Sequence, residues 1–250
     1  FKRLTINDGL SLSSIYYIYQ DSKGFIWFGT EDGLNKFDGQ SITVYGATTD
    51  QYNILANKWI ELIYEDKSGM IWLGSRGGLT KYNPRNGNFS VPRHDPADPR
   101  TLSNDTITAI ATDLQNEVWV GTYNGLNRVN RITNEVERIE PDEAGLAGLT
   151  GRITGLIQDE SGTFWIGTDQ GLYSYDYKSS LFFNETVGGL IEPATPVRCM
   201  SFGDNAIMLN TSNGLIKMDL SLSGNHQQFD VFPEEPSAHG EILSVLNDGG

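Results

Sequence analysis

The chain has 250 residues, with 18 Lys+Arg against 32 Asp+Glu, a formal charge of −14, 38% hydrophobic residues, 28 Gly and 1 Cys. That apolar content is enough for a sizeable core and argues against disorder, while an acidic balance without any basic cluster excludes nucleic acid and anionic membrane surfaces as expected partners. Cys199 alone forms neither an internal disulfide nor a cysteine metal cluster, and no apolar run is long enough for a membrane-spanning helix.

Phe1–Thr5 precedes Gly9-Leu10 much as an outer strand precedes the next repeat, so residues 1–5 are expected to be the closing strand of a last blade. A first unit then spans 12–45, with strand-like segments at Ile15–Tyr19 and Phe25–Phe28. Its anchor, Trp27-Phe-Gly-Thr30, returns as Trp72-Leu-Gly-Ser75, Trp119-Val-Gly-Thr122 and Trp165-Ile-Gly-Thr168, with a degenerate fifth copy at Met208-Leu-Asn-Thr211. A Gly-Leu pair follows every anchor: Gly33-Leu34, Gly78-Leu79, Gly125-Leu126, Gly171-Leu172 and Gly214-Leu215.

Further units are read at 58–91, 105–139, 151–184 and 195–232, and residues 240–250 match the first strand of a sixth unit that is cut off. Asp21, Asp66, Asp113 and Asp159 stand six residues before the four tryptophans, and the fifth copy has Phe202 there. The stretches between each Asp and its Trp (DSKG, DKSG, DLQN, DESG) are hairpin chemistry: Asp bonds its own backbone and Gly or Asn accepts positive φ. The Asp series is therefore read as turn formers, and the Trp series as packing between neighbouring units.

The segments between turns are short and rich in Ile, Tyr, Trp and Phe, and helical spacing is absent. Phe25-Ile26-Trp27-Phe28 does not alternate, which implies burial on both faces, as stacked sheets provide. Gly29, Gly74, Gly121 and Gly167 are expected where inner strands crowd. Four short strands in a period of about 45 residues describe a β-propeller blade. The expected fold is all-β, a β-propeller of four-stranded antiparallel blades with about five full blades present, part of a longer protein.

The unit I-x-x-I-x-x-D-x-x-G-x-x-W-x-G-T-x-x-G-L-x-x-x-D resembles the two-component regulator propeller repeat, and Gly9 through Gly39 resembles a first blade of that family. The resemblance implies a seven-bladed ring. It also implies a periplasmic sensor region of a bacterial two-component-type signalling protein, with a membrane helix and a histidine kinase or diguanylate cyclase downstream. On this reading the segment itself is not an enzyme, and the membrane is reached only through downstream segments.

In a propeller the loops joining second and third strands share one end with the connections between blades, so a site is sought there. The connections Gly46–Asn57, Pro92–Asp105, Pro141–Gly151 and Val187–Pro196 are long, hence functional or mobile. Candidate ligand-binding residues at this end are Arg76, Tyr123, Asn124, Arg152, Asp169 and Arg198, with Trp59, Thr106 and Glu241 nearby. Amide, aromatic and guanidinium groups together suit an oligosaccharide or a small-molecule ligand, a sugar or an anion.

No cofactor, no catalytic residue and no metal site is expected: His94, His226 and His239 lack ligand spacing, and no nucleophile or phosphate-loop motif occurs. His239 alone is expected near the axial channel. A homodimer through the propeller is a further expectation. The alternatives are a propeller enzyme, a lyase or carbohydrate-active one, and a pure protein-interaction platform.

Overall fold

The computed structural model describes residues 3–46, 55–140, 146–186, 191, 194–203, 206–212, 214–220 and, for the backbone, 229–232. The expected sixth-unit strand at 240–250, His226, His239 and Glu241 lie outside the described residues.

Five four-stranded antiparallel sheets follow one another along the chain, each with its strands in sequence order. Blade one is β1 (Tyr17–Gln20), β2 (Ile26–Thr30), β3 (Gly33–Phe37) and β4 (Ile42–Tyr45). Blade two is β5 (Ile60–Glu65), β6 (Ile71–Ser75), β7 (Gly78–Asn83) and β8 (Asn88–Ser90). Blade three is β9 (Ile107–Thr112), β10 (Val118–Thr122), β11 (Gly125–Val129) and β12 (Val136–Ile139). Blade four is β13 (Ile153–Gln158), β14 (Phe164–Thr168), β15 (Gly171–Asp176) and β16 (Leu181–Glu185), and blade five is β17 (Val197–Gly203), β18 (Ala206–Thr211), β19 (Gly214–Asp219) and β20 (Phe229–Phe232). This is the expected all-β propeller architecture, with five blades among the described residues.

The chain forms two compact units. One comprises Phe1–Tyr123 with Asn127–Arg138, and the other Asn124–Leu126 with Ile139–Gly250. In the first, Trp27 packs with Leu55, Ile60, Ile63, Ile71 and Tyr82 of the next blade, and Trp72 with Leu102, Ile107, Val118 and Val129 of the one after. In the second, Trp165 packs with Val197, Ile207, Leu209 and Met218. Trp27, Trp72 and Trp165 thus fill seams between blades, and β6, β10 and β14 are buried at every position.

The strand after each hairpin needs a close approach, and glycine supplies it. A Cβ on Gly29 would come 2.6 Å from the Ile60 carbonyl oxygen, and one on Gly74 2.9 Å from Ile107 Cγ2.

Each Asp does form its turn: Asp21 Oδ1 accepts from the backbone N–H of Lys23 and Phe25, and Asp66 Oδ1 from Ser68 and Met70. The other carboxylate oxygen has a second role that the turn reading omits. Trp27 Nε1 donates to Asp21 Oδ2 at 2.8 Å, Trp72 to Asp66 at 2.9 Å, Trp119 to Asp113 at 2.8 Å and Trp165 to Asp159 at 2.8 Å. A buried indole N–H needs an acceptor, and the hairpin brings one to it.

A cation lies over three of these rings, Lys36 Nζ 5.4 Å from the Trp27 centroid, Lys81 Nζ 5.4 Å from Trp72 and the Arg128 guanidinium 5.8 Å from Trp119. Burial lowers the Lys81 pKa.

Residues 3–5 form no strand among the described residues. Thr5 caps a short 3-10 turn, Ile6–Asp8, in a capping box with Asp8. The segment that follows is clasped to blade one, where the Ser11 N–H donates to Asn35 Oδ1 at 2.8 Å and Asn35 Nδ2 to Ser11 Oγ at 2.8 Å. Ser103 and Asn127 repeat the same pair of bonds in blade three, at 2.8 and 2.9 Å. No helix among the described residues is long and apolar enough to cross a membrane.

Candidate functional site

The corners between second and third strands are tied by backbone bonds to the starts of inner strands. Gly33 N–H donates to Lys58 O at 2.9 Å, Tyr123 N–H to Thr106 O at 3.0 Å, Gly125 N–H to Gly151 O at 2.7 Å and Asp169 N–H to Arg152 O at 3.0 Å. These bonds demand positive φ at the Gly corners, +111° at Gly33 and +111° at Gly125, which explains the recurrent glycine. The residues beside the corners then project outward: Arg76, Tyr123, Asn124, Arg152, Asp169 and Arg198 are all exposed.

Within the second compact unit, three of the six candidates become neighbours along this frame. Asn124 precedes Gly125, whose bond to Gly151 sets it next to Arg152, and Arg152 in turn receives Asp169. Gly151 is closely packed there, since a Cβ on it would meet Gln170 Nε2 at 2.7 Å and Asp169 Oδ1 at 2.9 Å. Arg198 stands one residue past Val197, whose carbonyl accepts from Thr154 Oγ1 at 2.6 Å. An amide, a guanidinium and a carboxylate carried on adjoining backbone are the group types that recognise hydroxyl and carboxylate groups by hydrogen bonds.

In the first unit, Arg76 joins a cluster that the motif reading only partly names. Its Nε donates to Glu61 Oε1 at 2.9 Å, and its guanidinium carbon lies 5.0 Å from the centroid of the Trp59 ring. The Tyr16 ring is 5.3 Å from Trp59, and the Tyr16 hydroxyl donates to Glu31. That bond to the Glu31 carboxylate raises the Tyr16 phenol above its ordinary pKa. Lys58 pairs with Asp32 alongside, at 3.0 Å. Tyr16 and Glu61 carry no motif of their own, so sequence spacing had no means to select them, whereas Glu31 holds the loop-tip position equivalent to Arg76.

The connection between blades two and three, expected to be functional or mobile, is built around one side chain. Arg138 Nε donates to Thr101 O at 2.8 Å, and its Nη2 reaches the carbonyls of Asp95 at 3.0 Å, Asp98 at 3.1 Å and Leu102 at 3.1 Å. His94 Nδ1 meets Leu102 O at 2.5 Å, and the His94 N–H donates to Asp105 Oδ1 at 2.9 Å. His94 is thus engaged with its own loop. Among the described residues no group of three His, Cys, Asp or Glu is placed to hold a metal ion.

A cavity of about 430 Å³ in blade three is lined by Glu117, Arg128, Asn130, Glu135, Val136 and Glu137. It contains none of the six candidate residues. It lies by the β9–β10 and β11–β12 turns, at the opposite strand ends from the Gly-Leu corners.

Two segments of the chain, residues 9–32 in blade one and 148–170 in blade four, match the model of the two component regulator propeller. A stretch of 45 residues is 56% identical to histidine kinase P4 of Formosa agariphila, covering 18% of this chain and 3% of that protein. Among solved structures the chain is similar to the extracellular domain assigned to a hybrid two component system of B. thetaiotaomicron. That likeness has 23% identity and a TM-score of 0.56, and covers 98% of this chain and 38% of the other. It is also similar to virginiamycin B lyase from Staphylococcus aureus, with 12% identity, a TM-score of 0.63 and coverage of 88% and 69%.

The chain therefore spans only a small part of the kinase and under two fifths of the extracellular domain, and at these identities the solved structures establish the fold alone. The Trp mark on four of the blades and the Gly-Leu mark on all five accompany the family-model matches, so residues 9–32 and 148–170 are repeats of the two-component regulator propeller type.

Proposed function

We propose that the chain is the non-catalytic, signal-recognising part of a bacterial two-component-type signalling protein, and that it works outside the cytoplasm. The observation that carries this reading is the loop end itself: a uniform backbone frame of corner-to-strand bonds bears exposed side chains that differ from blade to blade. A constant scaffold with varied tips suits recognition. The 45-residue match to a histidine kinase and the likeness to an extracellular domain of a hybrid system support the signalling context and the location.

The ligand-binding residues are Asn124, Arg152, Asp169 and Arg198 on the second unit and, taken separately, Arg76 and Tyr123 on the first. The ligand class is an oligosaccharide or a small acid, and the propeller pairs with a second copy of itself. Signalling through such a site requires the ligand to favour one arrangement of the assembly over another, because equal affinity for both shifts nothing.

The test is a melting screen of the full chain against oligosaccharides and small carboxylic acids, comparing the natural protein with Arg152→Ala. A ligand present at 100 times its Kd adds about 2.7 kcal/mol of stability. The reading expects a shift that the variant loses. Turnover of any compound in the screen would replace it with the enzyme reading, and no shift with any compound would leave the interaction platform.

A further inference from the structure

Trp59 differs from the four seam tryptophans in how its indole N–H is treated. Each of those donates to an aspartate, whereas Trp59 Nε1 is buried and has no acceptor. A buried N–H without an acceptor is a net cost that Phe would avoid with the same packing. What the indole adds is the best aromatic face for a cation.

That face is already in use. The Arg76 guanidinium lies over the ring at 5.0 Å and is held by Glu61 at 2.9 Å, while Tyr16, anchored by Glu31, closes the aromatic wall at 5.3 Å. We propose that Tyr16, Glu31, Trp59 and Glu61 form a binding site for an organic cation, a ligand bearing a guanidinium or primary ammonium group, and that Arg76 is its tethered occupant.

Three features favour exchange. The Arg76 side chain is 63% exposed, and exposed ion pairs of this kind contribute little net free energy, so it can leave into solvent readily. Once it has left, Glu61 loses the cation it pairs with at 2.9 Å, while Lys58 stays with Asp32 and Glu31 with the Tyr16 hydroxyl. The vacated position then offers an incoming cation a ring face and a carboxylate together, the contacts that Arg76 itself makes. The inference deepens the recognition role proposed for the loop end, and its binding test does not depend on the Arg152 group.

The experiment measures binding of agmatine and Nα-acetylarginine amide to the full chain by calorimetry, with Nα-acetylcitrulline amide as the uncharged, nearly isosteric control. The expected results are weak binding to the natural protein, at least tenfold tighter binding to Arg76→Ala, and loss of that gain in Arg76→Ala combined with Glu61→Gln. Adding Trp59→Phe to Arg76→Ala keeps the packing and is expected to weaken binding several-fold. The proposal is overturned if Arg76→Ala binds no tighter than the natural protein, or if Nα-acetylcitrulline amide binds as well as Nα-acetylarginine amide. A negative result here, with an intact saccharide or acid shift at Arg152, would leave the recognition reading standing, and the converse would leave the cation site standing.

Discussion

The indole N–H of Trp72 donates to Oδ2 of Asp66 at 2.9 Å, while Oδ1 of the same carboxylate holds the backbone N–H groups of Ser68 and Met70. One side chain therefore closes the hairpin and fixes the ring that fills the seam. Asp66→Ala strands a buried indole N–H and loosens the turn, and a loss of about 2–3 kcal/mol is expected in denaturant unfolding. Asp66→Asn should recover only part, because an amide cannot accept on both sides.

Trp119 is 1% exposed and donates to Asp113 at 2.8 Å. Trp119→Ala removes a large buried ring and is expected to cost about 3–5 kcal/mol. A change below about 1 kcal/mol in the same unfolding assay would mean that the ring is not part of the core.

Gly29→Ala sets a methyl group 2.6 Å from the Ile60 carbonyl and 3.1 Å from Ile60 Cγ2. Backbone cannot give way as a flexible side chain would, so overpacking of about 1–3 kcal/mol is expected. The melting temperature of the variant reports it, and an unchanged value would contradict the close approach of β2 and β5.

Arg138→Ala removes the hub of the connection between blades two and three, releasing the carbonyls of Asp95, Asp98, Thr101 and Leu102. Trypsin should then cleave after Arg93 or Arg100 at least about tenfold faster, as local opening of a surface loop becomes easier. Arg138→Lys should not protect the loop, because a single ammonium cannot span four carbonyls as the planar guanidinium does. Mass spectrometry of the digests decides it.

Asp38, Asp98 and Asp176 all have carboxyls held below the ordinary aspartate range. The main causes are the Ser41 N–H for Asp38, the Arg100 side chain for Asp98 and the Lys178 N–H for Asp176. Because the folded pKa is the lower one, the unfolded chain binds more protons in acid. Their contribution is complete above the unfolded value of about 3.9 and is lost as pH falls through the folded values. Urea midpoints should be insensitive to these groups from pH 8 to about 5, then decline below about 4, and Asp38→Asn should flatten part of that decline.

The blades were legible because their marks are local. Trp27, Gly29 and Gly33 recur in phase, and a strand, a crowded position and a positive-φ corner are each written in residue types at one place. The Asp–Trp bond was hidden behind a sufficient explanation, since Asp21 already forms a turn with its first oxygen.

What could not be read depends on residues far apart in sequence. The Ser11–Asn35 clasp joins a segment before the first strand to β3, and Tyr16 meets Trp59 across two blades. Arg138 gave no sign in the sequence that it would organise 92–105, because its acceptors are backbone carbonyls, which every residue possesses. Of the candidate site, the loop end and its outward residues were accessible to sequence, but not which of them adjoin.

Blade five has Met208 and Phe202 where the other blades have tryptophan and aspartate, so the bond between hairpin and seam has no counterpart there. A strictly repeated array would be anonymous, every blade interchangeable with its neighbour. The exception gives the array an address: opening under heat or force has a preferred place to begin, and a partner that must tell one blade from the rest has a physical difference to detect.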